Sequence, residues 1–310
     1  MPTALALRNV HKRFGKTVAL NGVSLDVPSG VVCAVLGANG AGKTTAIRIL
    51  LGLEPPDSGE AEVLGMPSRT HSIEIRQRVG YVAEKPPLYE WMTVEEIGWF
   101  AAGFYPTGYQ ATYSKFLQRF ALDPTQKIKN LSKGMRSKVA LSLSLSHTPE
   151  LLILDEPTSG LDPLVRREFL ESMVDTASEG RTVLLCSHQV AEVERVADLV
   201  AILINGQLVA FERLEDLKRH TQEVVITLPT LEAKPPQLPG KVVAYAPFGA
   251  DHLFMVRDLD EIALGAACKE IGTYRIRKPN LEDILLAMLR ESRRPGEQSS
   301  VRDNATSAAK

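Results

Sequence analysis

The chain has 310 residues, enough for one α/β domain and an appendage, and its 36 Lys and Arg stand against 37 Asp and Glu for a net charge of −1. That balance offers no global field for nucleic acid, and no apolar stretch reaches the ~20 residues needed to span a bilayer. The first residues, MPTALALRNV, are too short and polar for a secretory signal. Cys33, Cys186 and Cys268 have no metal-ligand spacing, so buried thiols in a reducing compartment are expected. Residues 4–28 (LALRNV, then LNGVSLDV) alternate as strands do and predict an antiparallel layer with Phe14 in its turn. VVCAVL at 31–36 is an unbroken apolar run, as for a strand covered on both faces of a parallel sheet, and GANGAGKTT follows at once. From about 84 to 149 the pattern turns helical (VEEIGWFAAGFY, SKFLQRFAL, RSKVALSLSLSH), which predicts a helical subdomain inserted before the next buried strand, LLILD at 151–155. TVLLCS at 182–187 is a third buried strand, and LVAILINGQLVAF after Asp198 predicts a hairpin turning at Asn205-Gly206. The segments EVVITL, KVVAYA, HLFMVR and TYRIRK, with helices from Leu259 and from Leu281 capped by Asn280, predict a small βα appendage over 221–292. Residues 293–310 are polar and free of aromatics, so a disordered tail is expected there.

Chemistry concentrates in the first 220 residues. Gly37, Ala38, Asn39, Gly40, Ala41, Gly42, Lys43, Thr44 and Thr45 have the P-loop spacing. Glycines let successive backbone N–H groups curl around phosphate oxygens, and the following helix points its positive end at them. Lys43 adds a mobile charge toward the β- and γ-phosphates, and Thr44 offers a hydroxyl to Mg²⁺. Asp155 emerges at the carboxyl end of LLILD, where open α/β sheets place ligands, and is expected to hold the metal through water. Glu156, one residue on, is placed to accept a proton from an attacking water. His188, after TVLLCS, leaves the same edge of the sheet, where it can orient Glu156 or touch the γ-phosphate. A second helix start, LSKGM at 131–135, has the N-cap chemistry that suits a phosphate.

These motifs, in this order across residues 4 to about 220, resemble the nucleotide-binding subunit of an ATP-binding cassette (ABC) transporter. Residues 37–44 correspond to its Walker A, LLILDE to its Walker B, SGLD at 159–162 to its D-loop and Ser187-His188 to its switch histidine. The resemblance implies an α/β P-loop NTPase with a RecA-like core, an antiparallel β layer and an inserted helical subdomain, here followed by a small C-terminal α+β appendage. It implies ATP as the nucleotide, Mg²⁺ as the metal, and Phe14 as the platform for adenine. LSKGM replaces the usual LSGGQ, keeping Ser132 and Gly134, and Glu84 stands where many members carry a metal-ligating glutamine. Both substitutions point toward the branch that serves ABC-2-type export permeases.

The resemblance also implies assembly. Only one of each motif occurs, so each ATP would be sandwiched between the P-loop of one subunit and the Ser132 turn of another, with Asp162 at the seam. The partner would be a second copy or another ABC ATPase. A separately encoded membrane permease would dock on the surface of PPLYEWMT, where Tyr89, Trp91 and Met92 are presented, and the chain would sit in the cytoplasm on the inner face of the membrane. Alternatives are an importer ATPase, and a soluble ABC ATPase acting in DNA repair or translation. The long coiled-coil insertion and the tandem cassettes of those soluble relatives are missing here.

Overall fold

The computed structural model describes residues 2–105, 107–230, 233–269 and 272–292. The expected disordered tail, 293–310, lies outside the described residues. The alternating residues at the start form β1 (Thr3–Phe14) and β2 (Thr17–Pro28), paired antiparallel, and the first buried run forms β3 (Val32–Leu36), which leads into α1 (Lys43–Leu50). Next come elements with little sequence signal: β4 (Ser58–Val63), the two-residue β5 (Met66–Pro67), α2 (Ser72–Arg78) and β6 (Val79–Val82). In SGEAEV only Ala61 and Val63 are buried, too few to announce a strand, yet β4 pairs with β1 and completes a four-stranded layer in the order β2-β1-β4-β5.

The helical insertion comprises α3 (Val94–Ala102), α4 (Tyr109–Arg119) and α5 (Lys133–Leu145). It begins as helix at Val94, because Pro86 and Pro87 keep the preceding segment extended and Thr93 supplies a capping box. The Thr93 hydroxyl accepts from Glu96 N–H at 3.1 Å, and the Glu96 carboxylate accepts from Thr93 N–H at 2.7 Å. The chain then runs through β7 (Leu151–Asp155), α6 (Pro163–Ser178), β8 (Thr182–Ser187), α7 (Val190–Val196), β9 (Leu199–Ile204), β10 (Gln207–Arg213) and α8 (Leu214–His220).

The central sheet has the order β10-β9-β3-β8-β7-β6, with β10 alone antiparallel. Every residue of β3, β7 and β8 is buried, as their apolar runs require of strands covered on both faces. The β9–β10 hairpin turns at Asn205 and Gly206, both with positive φ (49° and 76°), the conformation that the Asn-Gly pair supplies. Cys33 and Cys186 are free thiols buried on β3 and β8, and burial pushes the Cys33 pKa up to about 12.

The chain divides into two compact units between Leu214 and Glu215. The second consists of most of α8 with β11 (Thr221–Thr227), β12 (Lys241–Phe248), β13 (Asp251–Arg257), α9 (Glu261–Cys268), β14 (Thr273–Arg277) and α10 (Leu281–Ser292). Its sheet is antiparallel in the order β12-β13-β11-β14, and Val224, Ile226, Phe254 and Val256 pack with Leu264 and Cys268 of α9. The expected Asn280 cap is present: its side chain accepts from Asp283 N–H at 2.8 Å. Among the described residues no helix is long and apolar enough to cross a membrane.

Candidate functional site

Strand register brings the predicted chemistry together. In the central sheet β8 lies between β3 and β7, Leu36 pairs with Ser187, and Asp155 pairs with Cys186. Gly37, Glu156 and His188 therefore leave three adjacent strands at one level, on the carboxyl edge where such sheets bind ligands. The loop 37–42 then turns into α1. Ala38, Asn39 and Gly40 are exposed, whereas Gly37, Ala41, Gly42 and Lys43 are buried. A Cβ at Gly37 would lie 2.4 Å from the Leu203 carbonyl oxygen, so only glycine allows that approach. Gly42, at φ 108°, occupies the N-cap of α1 and has no side chain to cap it, which leaves the first N–H groups to a ligand. Thr44 and Thr45 stand in that first turn.

A chain of ionic contacts crosses this edge. Lys43 is buried, and its Nζ donates to the Gly37 carbonyl at 2.7 Å and lies 3.1 Å from Glu156 Oε1. The other Glu156 oxygen lies 2.6 Å from His188 Nδ1. A carboxylate only accepts, so the imidazole carries its proton on Nδ1, and the His188 backbone N–H points at the same oxygen from 3.3 Å. Glu156 is 8 % exposed and has φ 49°, a left-handed conformation uncommon for a residue with a side chain. Its N–H extends the ladder to the Cys186 carbonyl at 2.9 Å.

Asp155 Oδ2 accepts from the Thr44 hydroxyl at 2.8 Å, while Oδ1 is buried with no protein partner. Burial raises the Asp155 pKa; the Thr44 hydrogen bond and Lys43 oppose the shift, and the charges of Glu156 and Glu84 add to it. This is an edge short of positive charge, with a spare buried lone pair beside a hydroxyl. Those features fit Mg²⁺, which takes oxygen ligands from protein, phosphate and water together. Among the described residues no three His, Cys, Asp or Glu side chains form a ready-made metal cage. Glu84 is exposed in the segment after β6.

The remaining predicted residues lie farther along the same unit. Ser132 is exposed at the N-cap of α5, where its hydroxyl accepts from Met135 N–H at 3.2 Å. Asp162 caps α6, accepting from Leu164 and Val165 N–H at 3.0 Å each. A Cβ on Gly134 would lie 3.4 Å from Val165 and 3.8 Å from Asp162, so the starts of α5 and α6 are neighbours, and Lys138 ties the two helices to each other at 2.6 Å from Glu168. Lys133 folds over the loop before α6: a Cβ on Gly160 would lie 2.7 Å from its Nζ. Phe14 is 47 % exposed at the end of β1, with Lys12 Nζ 5.1 Å from its ring centre.

Of the three residues expected on the docking surface, Tyr89 and Trp91 are exposed and Met92 is not. Thr93 bridges Lys127 and Ile128 N–H bonds the Met92 carbonyl, and this local pairing turns Trp91 outward and Met92 into the core. Trp99, Phe100 and Phe104, which the sequence reading did not single out, extend the exposed patch, with Tyr89 and Phe104 both edge-on to Phe100. Trp99 and Phe100 on α3, with Phe104 just after it, carry the signal that was available: apolar residues beside Val94 and Ile97 beyond what one core contact needs.

A family model described as ABC transporter matches residues 20–159. An uncharacterized ABC transporter ATP-binding protein of Nostoc is 39 % identical over 209 residues, covering 65 % of this chain and 62 % of that protein. The Nod factor export ATP-binding protein I of Burkholderia lata is 37 % identical over 68 % of this chain and 71 % of its own length. The daunorubicin resistance ATP-binding protein DrrA3 of Streptomyces coeruleorubidus is 32 % identical over 94 % of this chain and 98 % of its own length. Among solved structures, the ATP-binding subunit of an ABC transporter superposes with a TM-score of 0.65 at 32 % identity, over 70 % of this chain and 92 % of that one. The fold, the edge on which Lys43, Asp155, Glu156 and His188 meet, and these likenesses agree: the chain, which spans 62 % of the length of the Nostoc relative, belongs to the ABC transporter family.

Proposed function

We propose that this chain hydrolyses ATP at the edge formed by 37–45, Asp155, Glu156 and His188, and so drives a separately encoded membrane permease in the export direction. The observation that carries the reading is the double engagement of Glu156, with Lys43 on one oxygen and His188 on the other. As the polyphosphate seats against the N–H groups of 40–45, Lys43 exchanges Glu156 for β- and γ-phosphate oxygens. That exchange frees Oε1 to accept the proton of the attacking water, while His188 keeps the carboxylate oriented through Oε2. Thr44 and Asp155, the latter through water, with Glu84 nearby, would hold Mg²⁺, which when bound supplies charge neutralisation at the phosphate oxygens. Phe14 would stack on adenine.

Ser132 supports a shared site. One chain already has a phosphate-binding helix start at Gly42, so the exposed start at Ser132, with Gly134 beside it, serves the nucleotide of a second subunit, identical or related. Asp162, next to Gly134, would then lie at the seam. The aromatic patch of Tyr89, Trp91, Trp99, Phe100 and Phe104 suits a permease on the inner face of the membrane. Export is favoured over import by Glu84 and LSKGM and by relatives named for Nod factor export and drug resistance.

Glu156→Gln is expected to lower steady-state hydrolysis by about 10²- to 10⁴-fold with ATP affinity retained. Hydrolysis at the parent rate would remove Glu156 as the base. A Ser132→Arg chain mixed with a Lys43→Ala chain should retain one intact composite site and lose the other; normal turnover at both sites would contradict the sandwich.

A further inference from the structure

Among the described residues of the unit that holds the site, one buried acid takes no part in the chemistry above. Glu192, in the first turn of α7, is 4 % exposed, and burial raises the pKa of its carboxyl. Its Oε2 accepts from the Thr158 hydroxyl at 2.5 Å, and its Oε1 lies 3.1 Å from Arg166 Nε. Arg166 in turn donates from its terminal nitrogen to the Leu161 carbonyl at 3.4 Å. Thr158 is 1 % exposed, so its hydroxyl has no solvent to turn to.

These contacts span one short segment, 157–162. It begins just after Glu156 with its positive φ, and it ends at Asp162, the cap of α6. Thr158 fixes its start and Leu161 its end, and both lead to the same carboxylate on the helix whose first turn follows His188. Lys133 rests on Gly160, in the middle of the segment. Glu192 is buried and Arg166 is 36 % exposed, so desolvation of the acid offsets much of a partly screened attraction, and three polar side chains committed to one loop are better explained by placement. Glu192 also feels the charges of Glu156 and His188, so it reaches the base through space as well as through the backbone of the segment it holds.

We infer that Glu192 is a positioning residue: with Thr158 and Arg166 it locks segment 157–162 to the helix that follows His188, so that Glu156, His188 and Asp162 shift as one body. The inference rests on the ATPase reading for its kinetic consequence but not for its mechanical one. In the full-length chain, Thr158→Val, which keeps shape and removes the donor, should lower kcat about 10- to 100-fold, as a misplaced base does, with KM for ATP within about twofold. Thr158→Ser should restore the parent kcat, and the Thr158→Val, Glu192→Gln double variant should be no slower than the slower single one, since the two residues act as one device. Parent kcat in Thr158→Val, or losses that multiply in the double variant, would overturn the inference. Amide hydrogen exchange of the same variants keeps the two readings apart, because it needs no hydrolysis. Thr158→Val should speed exchange by about tenfold or more both in 157–162 and in 188–193. Faster exchange in 157–162 with the parent rate in 188–193 would break the proposed link even if the ATPase reading stood.

Discussion

At the residue scale, one backbone position and one cation decide whether the site exists. Gly42 has φ 108°, and a Cβ there would meet the Ala19 carbonyl oxygen at 2.4 Å and Leu20 at 2.8 Å. Gly42→Ala is therefore expected to cost about 2 to 4 kcal/mol in stability and to weaken ATP binding, measured by denaturant unfolding and by nucleotide titration. Lys43→Ala removes the cation shared by the Gly37 carbonyl and Glu156 and should weaken ATP binding; unchanged affinity would count against the phosphate role. Lys43, Thr44, Asp155, Glu156 and His188 were legible in the sequence because their spacing after buried strands leaves one place for them to go. The pairing of Lys43 with Glu156 was not, since it depends on side-chain geometry, and Glu192 carried no motif at all.

At the scale of elements, three helix starts are treated differently. α1 opens at Gly42 with no side-chain cap, α5 opens at Ser132 and α6 at Asp162, each capped by its own oxygen. A self-capped start costs the Ser132 turn little when it stands alone, so Ser132→Ala should lower stability by only about 1 kcal/mol. α4 and the end of α5 are joined by a ladder of rings: His147 stacks on Tyr105 at 4.3 Å, Tyr105 on Tyr109 at 5.0 Å, and Tyr109 lies 6.4 Å from Tyr113. Burial lowers the His147 pKa from 6.5 to about 4, against a smaller upward pull from backbone hydrogen bonding at Val79 and Leu143. The unfolded chain then binds the extra proton between those values, so this residue's effect on stability is flat above 6.5 and turns unfavourable as pH falls toward 4, by up to about 3 kcal/mol. Urea unfolding of the parent and of His147→Phe should diverge in that window and run parallel above it. The parallel strands, the hairpin turn and the Asn280 cap were readable from apolar runs, Asn-Gly and Asn280, whereas the Thr93–Glu96 capping box was not singled out. β4, α2 and β6 were not, because few of their residues are buried or because they are too short to show a period, and Met92 turned inward through a pairing with 127–128 that no local pattern encodes.

At the scale of the whole molecule, the proposed shared site needs two such edges facing each other, since α5 and α6 present Ser132, Gly134 and Asp162 together, and their own chain already holds a phosphate loop at Gly42. The P-loop and the acid pair were written in the sequence as one site; Lys133 lying over Gly160 and the Lys138–Glu168 pair tie the start of α5 to the loop and helix at Asp162, which no motif announced. Closure of two such faces on two nucleotides is the central claim. The most direct test is the mass of the full-length Glu156→Gln chain by light scattering, in Mg-ATP and in Mg-ADP. A dimer in Mg-ATP that returns to monomer in Mg-ADP is the predicted result, and a monomer in both, with ATP bound, would contradict it.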